Sequence, residues 1–347
     1  MVTRVALAGA GRFGALHLRA FRSLPVEVVA VCDPDPARLA AVRAESGIAA
    51  GYPSLGELLA HERVDLVDIA TDEASHGDLV LEAVEAGRHV FVEKPLAMDV
   101  DQAMSIQARA AGNGVHVVTG QISRFGAAYQ HIRDTLDAGE LGAPVNLRFR
   151  RDFSRSWFPA FGTRVHPVWE SGIHDIDLAV WYAGAPCRTV YAVQRGVSGL
   201  PNPDTFAAIL TFANGVVATV ESAWLVPDAA PQTLRGALEL DGTIEATVEV
   251  LGERGTAAYR LAHDGLAVRT DRMTAHPEHT LWPTVAGRIS GALLAELGYA
   301  VDVARGARGN DVMPVEEAVE GVRIAAAIQR SAETGTPVTL RAPEERP

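Results

Sequence analysis

Of the 31 basic side chains in this 347-residue chain a single one, Lys94, is lysine and the rest are arginine. A bias toward arginine explains why lysine is rare, but not where the one survivor stands. Cysteine is nearly as scarce. Cys32 and Cys187 are far apart in the sequence, which excludes a disulfide framework and a thiolate metal cluster, and no metal centre is expected. No apolar run approaches the roughly 20 residues that span a bilayer. The start, "MVTRVALAGAGRFG", lacks a basic leader and a long apolar core, so a cytoplasmic protein with no membrane partner is expected. Positive charge is also in deficit. The net charge is -12 and the arginines are scattered, which argues against a nucleic-acid partner.

What remains is a soluble composition, 48% hydrophobic and 21% charged, with length enough for two domains. Residues 4 to 120 alternate short β-rich runs ("RVALAG", "VEVVAVCD", "DLVDIAT", "HVFVE", "VHVVTG") with helical stretches. That alternation predicts parallel strands covered on both faces by helices, a doubly wound α/β domain over 1–121. Beyond residue 122 the pattern changes to a helix over "AAYQHIRDTLDAG", a strand near 145–153, a helix over 170–183, and strand runs including "TVYAVQRG", "TFAAILTF", "GVVATVESAW", "GALELDG" and "ATVEVLG". Asn214-Gly215 between two of these predicts a two-residue hairpin. The second domain, 122–347, is therefore read as α+β with a large, mostly antiparallel open sheet. Its closing helix is expected to start after Pro314 and stop at Gly335, and the tail "APEERP" is expected to be disordered.

The stretch "GAGRFG" sets Gly9, Gly11 and Gly14 directly after the first strand and at the start of the first helix, with Arg12 and Phe13 among them. Such a turn lets a pyrophosphate approach the backbone and the amides of a helix N-terminus. Asp33 ends the second strand 19 residues past Gly14, where a carboxylate bonds ribose hydroxyls and repels a 2'-phosphate. NAD(H) is the expected cofactor, with Arg38 the residue that could turn the choice toward NADP(H).

Ligands of open α/β sheets sit beyond the carboxyl ends of the strands. "HVFVE" ends there, which points Glu93, Lys94 and Pro95 at the cofactor. A strand-end lysine is ordinarily a solvated charge. A solitary lysine in a chain of arginines instead suits work that needs a compact, titratable donor. The second constellation is "WESGIHDIDLAVWYAG". On a regular helix Glu170, His174, Asp177 and Trp181 fall within an arc of about 60°, a polar file beside the apolar stripe of Ile173, Ile176 and Val180. Taken alone, that file is also compatible with a surface hydrogen-bond cluster.

Together, "GAGRFG", "IATDEASH", "EAVEAGRHVFVEKPLA", "GQISRF" and "ESGIHDIDLAVWY" resemble the Gfo/Idh/MocA oxidoreductases, over the whole chain from first strand to closing helix. The resemblance implies a Rossmann domain, a C-terminal substrate-binding domain with an open sheet used for subunit contacts, and NAD(P)-linked chemistry on sugars or cyclitols. It makes Lys94 and His174 the catalytic pair and puts Thr71, His76, Glu93 and Gln121 on the cofactor side. Glu170 stands where such proteins commonly carry aspartate, so it either orients His174 or touches substrate. Arg124, Asp152 and His166 are further substrate-pocket candidates, each also readable as structural. The expected activity interconverts a secondary hydroxyl and a ketone. Alternatives are an amino sugar or aminocyclitol substrate, net glycoside hydrolysis with bound NAD, and a regulator that senses dinucleotide without turnover. A homodimer or homotetramer is expected.

Overall fold

The computed structural model describes residues 2–234, 241–261, 266–271 and 274–341. Most of the strand expected over 236–242, and the tail 342–347, lie outside the described residues. The chain divides into two compact units, Met1–Gly126 with His279–Val322 and Ala127–Glu278 with Arg323–Pro347. A single cut after residue 121 is thus replaced by a division in which a late segment returns to the first unit.

The first unit runs β1 (Thr3–Ala8), α1 (Arg12–Phe21), β2 (Val26–Cys32), α2 (Pro36–Ser46), β3 (Ala50–Tyr52), α3 (Leu55–His61), β4 (Leu66–Ile69), α4 (His76–Glu85), β5 (His89–Glu93), α5 (Val100–Asn113) and β6 (Val117–Gly120). The six strands are parallel in the order β3-β2-β1-β4-β5-β6. Strand order therefore reverses beside β1, the switch point at which such sheets take ligands. Val5, Leu7, Val67, Ile69, Val90 and Val92 are all fully buried. Both faces of the sheet are covered, which is why its strands read as unbroken apolar runs. The short β3 and α3 had no periodic signal of their own. Helix starts are locally encoded: the side chains of Asp35, Ser54 and Asp99 cap α2, α3 and α5, whereas no side chain caps α1 at Gly11.

The second unit begins with α6 (Ala127–Asp137) and β7 (Pro144–Ser154). A short α7 (Phe158–Phe161) leads to a π-helical turn over Val168–Gly172, and this runs straight into α8 (Ile173–Ala183). Then come β8 (Cys187–Arg195), β9 (Thr205–Phe212), β10 (Val217–Val226), β11 (Ile244–Gly252), β12 (Thr256–Leu261) and a two-residue ladder, β13 (Val268–Arg269) with β14 (Thr274–Ala275). The first unit then regains the ladder of β15 (Thr284–Val285) with β16 (Arg288–Ile289), and α9 (Ala292–Ala304), which packs on α1 and β5. Helix α10 (Val315–Thr334) and β17 (Val338–Thr339) close the chain. The helix follows Pro314 and stops at Gly335, whose φ is +66°.

The seven-stranded sheet has the order β12-β11-β7-β10-β9-β8-β17 and is antiparallel except for β7 with β10. Between β9 and β10 the hairpin differs from the two-residue expectation. Phe212 N–H bonds to Val216 O and Gly215 N–H to Phe212 O, which leaves a three-residue loop with Gly215 at φ +88°, the left-handed position such a loop requires. Among the described residues no helix is long and apolar enough to cross a membrane.

Candidate active site

Each unit carries one cluster. In the first, Gly9 has φ +105°, and a Cβ there would overlap the Ala70 carbonyl; a Cβ on Gly14 would overlap the Gly9 carbonyl. Gly11 is different, since a Cβ there would meet nothing within 4 Å. Internal packing asks nothing of Gly11, so the space above it suits a ligand that approaches the backbone closely. Asp33, 6% exposed, accepts the Ala10 N–H at one oxygen and the Asp35 N–H at the other, each at 2.8 Å. That ties the end of β2 to the glycine turn, and a carboxylate with about four lone-pair sites retains capacity for ribose hydroxyls. Arg38, exposed on α2, pairs with Asp35 at 3.3 Å. Arg12 is exposed, and Phe13 packs edge-on against Trp282 and His17.

Thr71 lies against the glycine turn, its methyl 3.0 Å from where a Gly9 Cβ would sit, and its hydroxyl accepts from Ser75. His76 is buried with both ring nitrogens on backbone carbonyls, Nδ1 2.7 Å from Pro95 O and Nε2 3.1 Å from Thr71 O. Its ring thus faces protein on both sides instead of presenting a nitrogen to the cofactor. Gln121 follows β6, 3% exposed, and its Oε1 has no hydrogen-bond partner among the described residues. A buried amide oxygen without a donor is costly, and an amide-bearing ligand offers one. With the uncapped α1 start, the Gly11 space and Asp33, this set fits a nicotinamide dinucleotide.

Lys94 is partly exposed at the end of β5, and the Lys94–Pro95 peptide is cis. Behind it, His17 of α1 is fully buried between Asp68, 3.0 Å away, and Glu93, 3.3 Å away. Neither His17 nor Asp68 was singled out from sequence, although "GAGRFGALH" puts the histidine one turn past the last glycine.

In the second unit, every residue from Val168 to Ala183 is buried except Glu170 and His174. Their neighbours are tied inward. Trp169 Nε1 donates to Gln329, Ser171 Oγ donates to Pro167 O and meets Ser222 Oγ at 2.6 Å, and Trp224 Nε1 donates to Ser171. Asp175 receives a two-pronged bond from Arg151, Nη2 to Oδ1 at 2.8 Å and Nε to Oδ2 at 3.2 Å. The continuous polar file expected on a regular helix is corrected here, because Asp177 and Trp181 are buried. The π turn's i→i+5 bonding shifts only Glu170 relative to α8; Asp177 and Trp181 share the regular helix with His174 and are buried by packing further along it.

The remaining pocket candidates are engaged elsewhere. Arg124, 1% exposed, donates to Val312 O and pairs with Glu317. Asp152 accepts from Arg150 and from the Ala223 N–H. His166 meets Gln194 Oε1 with Nε2 at 2.9 Å and accepts the Val168 N–H at Nδ1, and its burial lowers its pKa. Arg124, Asp152 and His166 thus each have partners within their own unit.

Residues 3–121 match the oxidoreductase family with an NAD-binding Rossmann fold, and residues 129–258 match the GFO/IDH/MocA C-terminal domain. The chain is 33% identical over 290 residues to the D-apiose dehydrogenase of Paraburkholderia graminis, covering 81% of this chain and 74% of that protein. It is 32% identical over 190 residues to the scyllo-inositol 2-dehydrogenase (NAD(+)) of Bacillus subtilis, 54% of this chain and 56% of that protein. Its fold matches that of a myo-inositol 2-dehydrogenase from Lactobacillus plantarum with a TM-score of 0.83 at 22% identity, covering 98% of this chain and 100% of that one. The score is also 0.83 for GenD2 from gentamicin A biosynthesis in complex with NAD, at 23% identity and covering 98% and 97%. The glycine turn, the Lys94 strand end and the His174 segment are thus parts of one inherited framework, and the chain belongs to the GFO/IDH/MocA family of NAD-binding oxidoreductases.

Proposed function

We propose that the chain is an NAD(H)-dependent dehydrogenase that interconverts a secondary hydroxyl and a ketone on a sugar or cyclitol, with Lys94 and His174 serving the reacting oxygen. The observation that carries this reading is the selective exposure of Glu170 and His174 on an otherwise buried segment. A carboxylate and an imidazole kept accessible while all their neighbours are held inward suit proton transfer to a small polar ligand. When bound, NAD+ supplies a hydride acceptor. His174 receives the hydroxyl proton as the carbon gives up hydride, and Lys94 donates a hydrogen bond to the oxygen as negative charge develops there. Glu170 orients the imidazole or a neighbouring hydroxyl. The glycine turn, Asp33 and Gln121 hold the dinucleotide.

The relatives named for D-apiose and scyllo-inositol support a polyol substrate. An accessible carboxylate at Glu170 also suits an ammonium group, which favours an amino sugar or aminocyclitol as the second reading. A screen of cyclitols, pentoses, hexoses and aminoglycosides, followed by NADH absorbance, tests both. Reduction of NAD+ by a neutral polyol supports the first reading, preference for an amine-bearing substrate supports the second, and no reduction by any of them removes the dehydrogenase assignment. The reading extends to a cytoplasmic homodimer or homotetramer. Its support is the exposed face of the seven-stranded sheet, where Tyr191, Val193 and Ile209 stand out, together with two buried cysteines outside any disulfide.

A further inference from the structure

Behind Lys94 lies a row of buried ionisable groups that the hydride-transfer scheme does not use. His17 on α1 and Asp68 on β4 are both fully buried, and the side chain of Glu93 on β5 is 13% exposed. His17 Nδ1 lies 3.1 and 3.0 Å from the two Asp68 oxygens, and Nε2 lies 3.3 Å from Glu93 Oε1. The other Glu93 oxygen turns back on the chain and accepts the backbone N–H of Lys94 at 3.3 Å. Gly120, opposite Glu93 in the sheet, keeps this space open, since a Cβ there would come within 3.1 Å of Glu93 Oε1. On the far side of Lys94, His76 fixes the Pro95 carbonyl. The backbone that presents Lys94 is therefore gripped before and after the lysine by side chains from α1, β5 and α4.

A buried charge cluster of this kind is rarely better for stability than apolar side chains of the same volume, so what it supplies is geometry. Nδ1 of His17 is hydrogen-bonded to Asp68, while Nε2 lies at ion-pair distance from Glu93 without hydrogen-bond geometry, so the charge of the imidazolium is what draws both carboxylates to the ring. Burial opposes that charge, but Asp68 and Glu93 outweigh it and raise the pKa of His17 to about 10. In turn, although burial pushes the Glu93 carboxyl up, its contact with the His17 imidazolium and the charge of Lys94 hold it below the usual range. The same helix whose N-terminus meets the dinucleotide thus also sets the carboxylate beside the lysine.

We propose that His17 is a positioning residue for Lys94, acting through Glu93: the His17 ring, anchored on Asp68, fixes the Glu93 carboxylate, and that carboxylate fixes the Lys94 peptide. This rests on the reading of Lys94 as the donor to the reacting oxygen, and its test has one arm that needs no turnover. Because Lys94 is the only lysine, protein labelled with 15N-lysine shows one backbone lysine amide. In His17→Asn that resonance is expected to move upfield toward its position in Glu93→Gln, as the bond to a fixed carboxylate weakens. With the best substrate, His17→Asn is expected to lose roughly 10- to 100-fold in kcat, the scale of a small misplacement at a reacting centre, while KM for NAD changes less than about 3-fold. His17→Asn/Glu93→Gln is expected to be no slower than the slower single variant, because both act along one path. An unmoved Lys94 amide, or losses that multiply in the double variant, overturns the proposal. If His17→Asn does not fold, Asp68→Asn takes its place with the same expectations. A wild type that oxidises no polyol counts against the dehydrogenase reading alone, and the amide resonance still decides the role of His17.

Discussion

Lys94 and Asp33 are the residues at which side-chain identity matters most. Arginine at position 94 keeps the charge but replaces a compact amine with a planar fork. Lys94→Arg is expected to bind NAD(H) as the parent does, because the glycine turn and Asp33 are untouched, yet to lose on the order of 100-fold in kcat, as when a donor to a developing oxyanion is misplaced. Steady-state kinetics beside a cofactor titration checks both halves, and near-parental turnover would make Lys94 an accident of composition. Asp33 is expected to act on cofactor choice. Its carboxylate, held by the Ala10 and Asp35 amides, repels a 2'-phosphate, so the parent should bind NAD more tightly than NADP and Asp33→Ala should narrow that gap. Equal affinities in the parent would refute this.

The segment 168–183 shows how one element is aimed. Its sequence is apolar enough to be buried nearly all round, and the π turn with the inward bonds of Trp169, Ser171 and Asp175 leaves only Glu170 and His174 accessible. Asp175 is the strongest of these ties. Burial pushes its carboxyl up against the pull of Arg151, and both side chains are nearly inaccessible. Removing one charge strands the other, so Asp175→Asn is expected to cost about 3–5 kcal/mol, read as a lower midpoint in urea. Replacing Arg151 and Asp175 together by Met and Leu is expected to be much milder. A double variant less stable than Asp175→Asn would contradict this account.

For the molecule as a whole, the buried His17 ring predicts how stability depends on pH. Its folded pKa of about 10 lies above the ordinary 6.5, so its charge contributes stability that is fully present below about pH 6.5 and lost as pH rises through about 10. The groups that face it are Asp68 and Glu93, with Phe13 and Phe91 edge-on to the ring. Thermal midpoints measured between roughly pH 7 and 10.5 should fall in the parent and fall less in His17→Asn; parallel slopes would show that the ring is not the cause. Assembly is the other whole-molecule expectation. Tyr191 pairs with Ile209 across β8 and β9, and both are exposed on the same sheet face as Val193. Light scattering at micromolar concentration should show a dimer or tetramer, and Ile209→Asp should shift it toward monomer; a parent that is already monomeric would end this expectation.

Periodicity carried most of the architecture. The alternation over residues 4–120, the glycine turn, Asp33 and the boundaries of α10 are written in local patterns, since apolar spacing, caps and glycines act within a few residues. Lys94, Glu170 and His174 could be singled out as candidates for a similar reason: each lies in a short motif whose chemistry is unusual for its setting. Tertiary structure alone decided the rest. The His17–Asp68–Glu93 row joins a helix to two strands 51 and 76 residues further on, and no local pattern links a histidine to carboxylates at that distance. Sequence left Arg124, Asp152 and His166 open between pocket and structural roles, and only the fold shows the partners they have, Glu317, Arg150 with Ala223, and Gln194. Which side chains of 168–183 stay accessible is likewise a matter of packing, with Trp169 and Ser171 bonded to Gln329, Ser222 and Trp224 from distant segments. Whether a polar side chain faces a ligand or a neighbour depends on which long-range partner reaches it first, and only the folded chain supplies that partner.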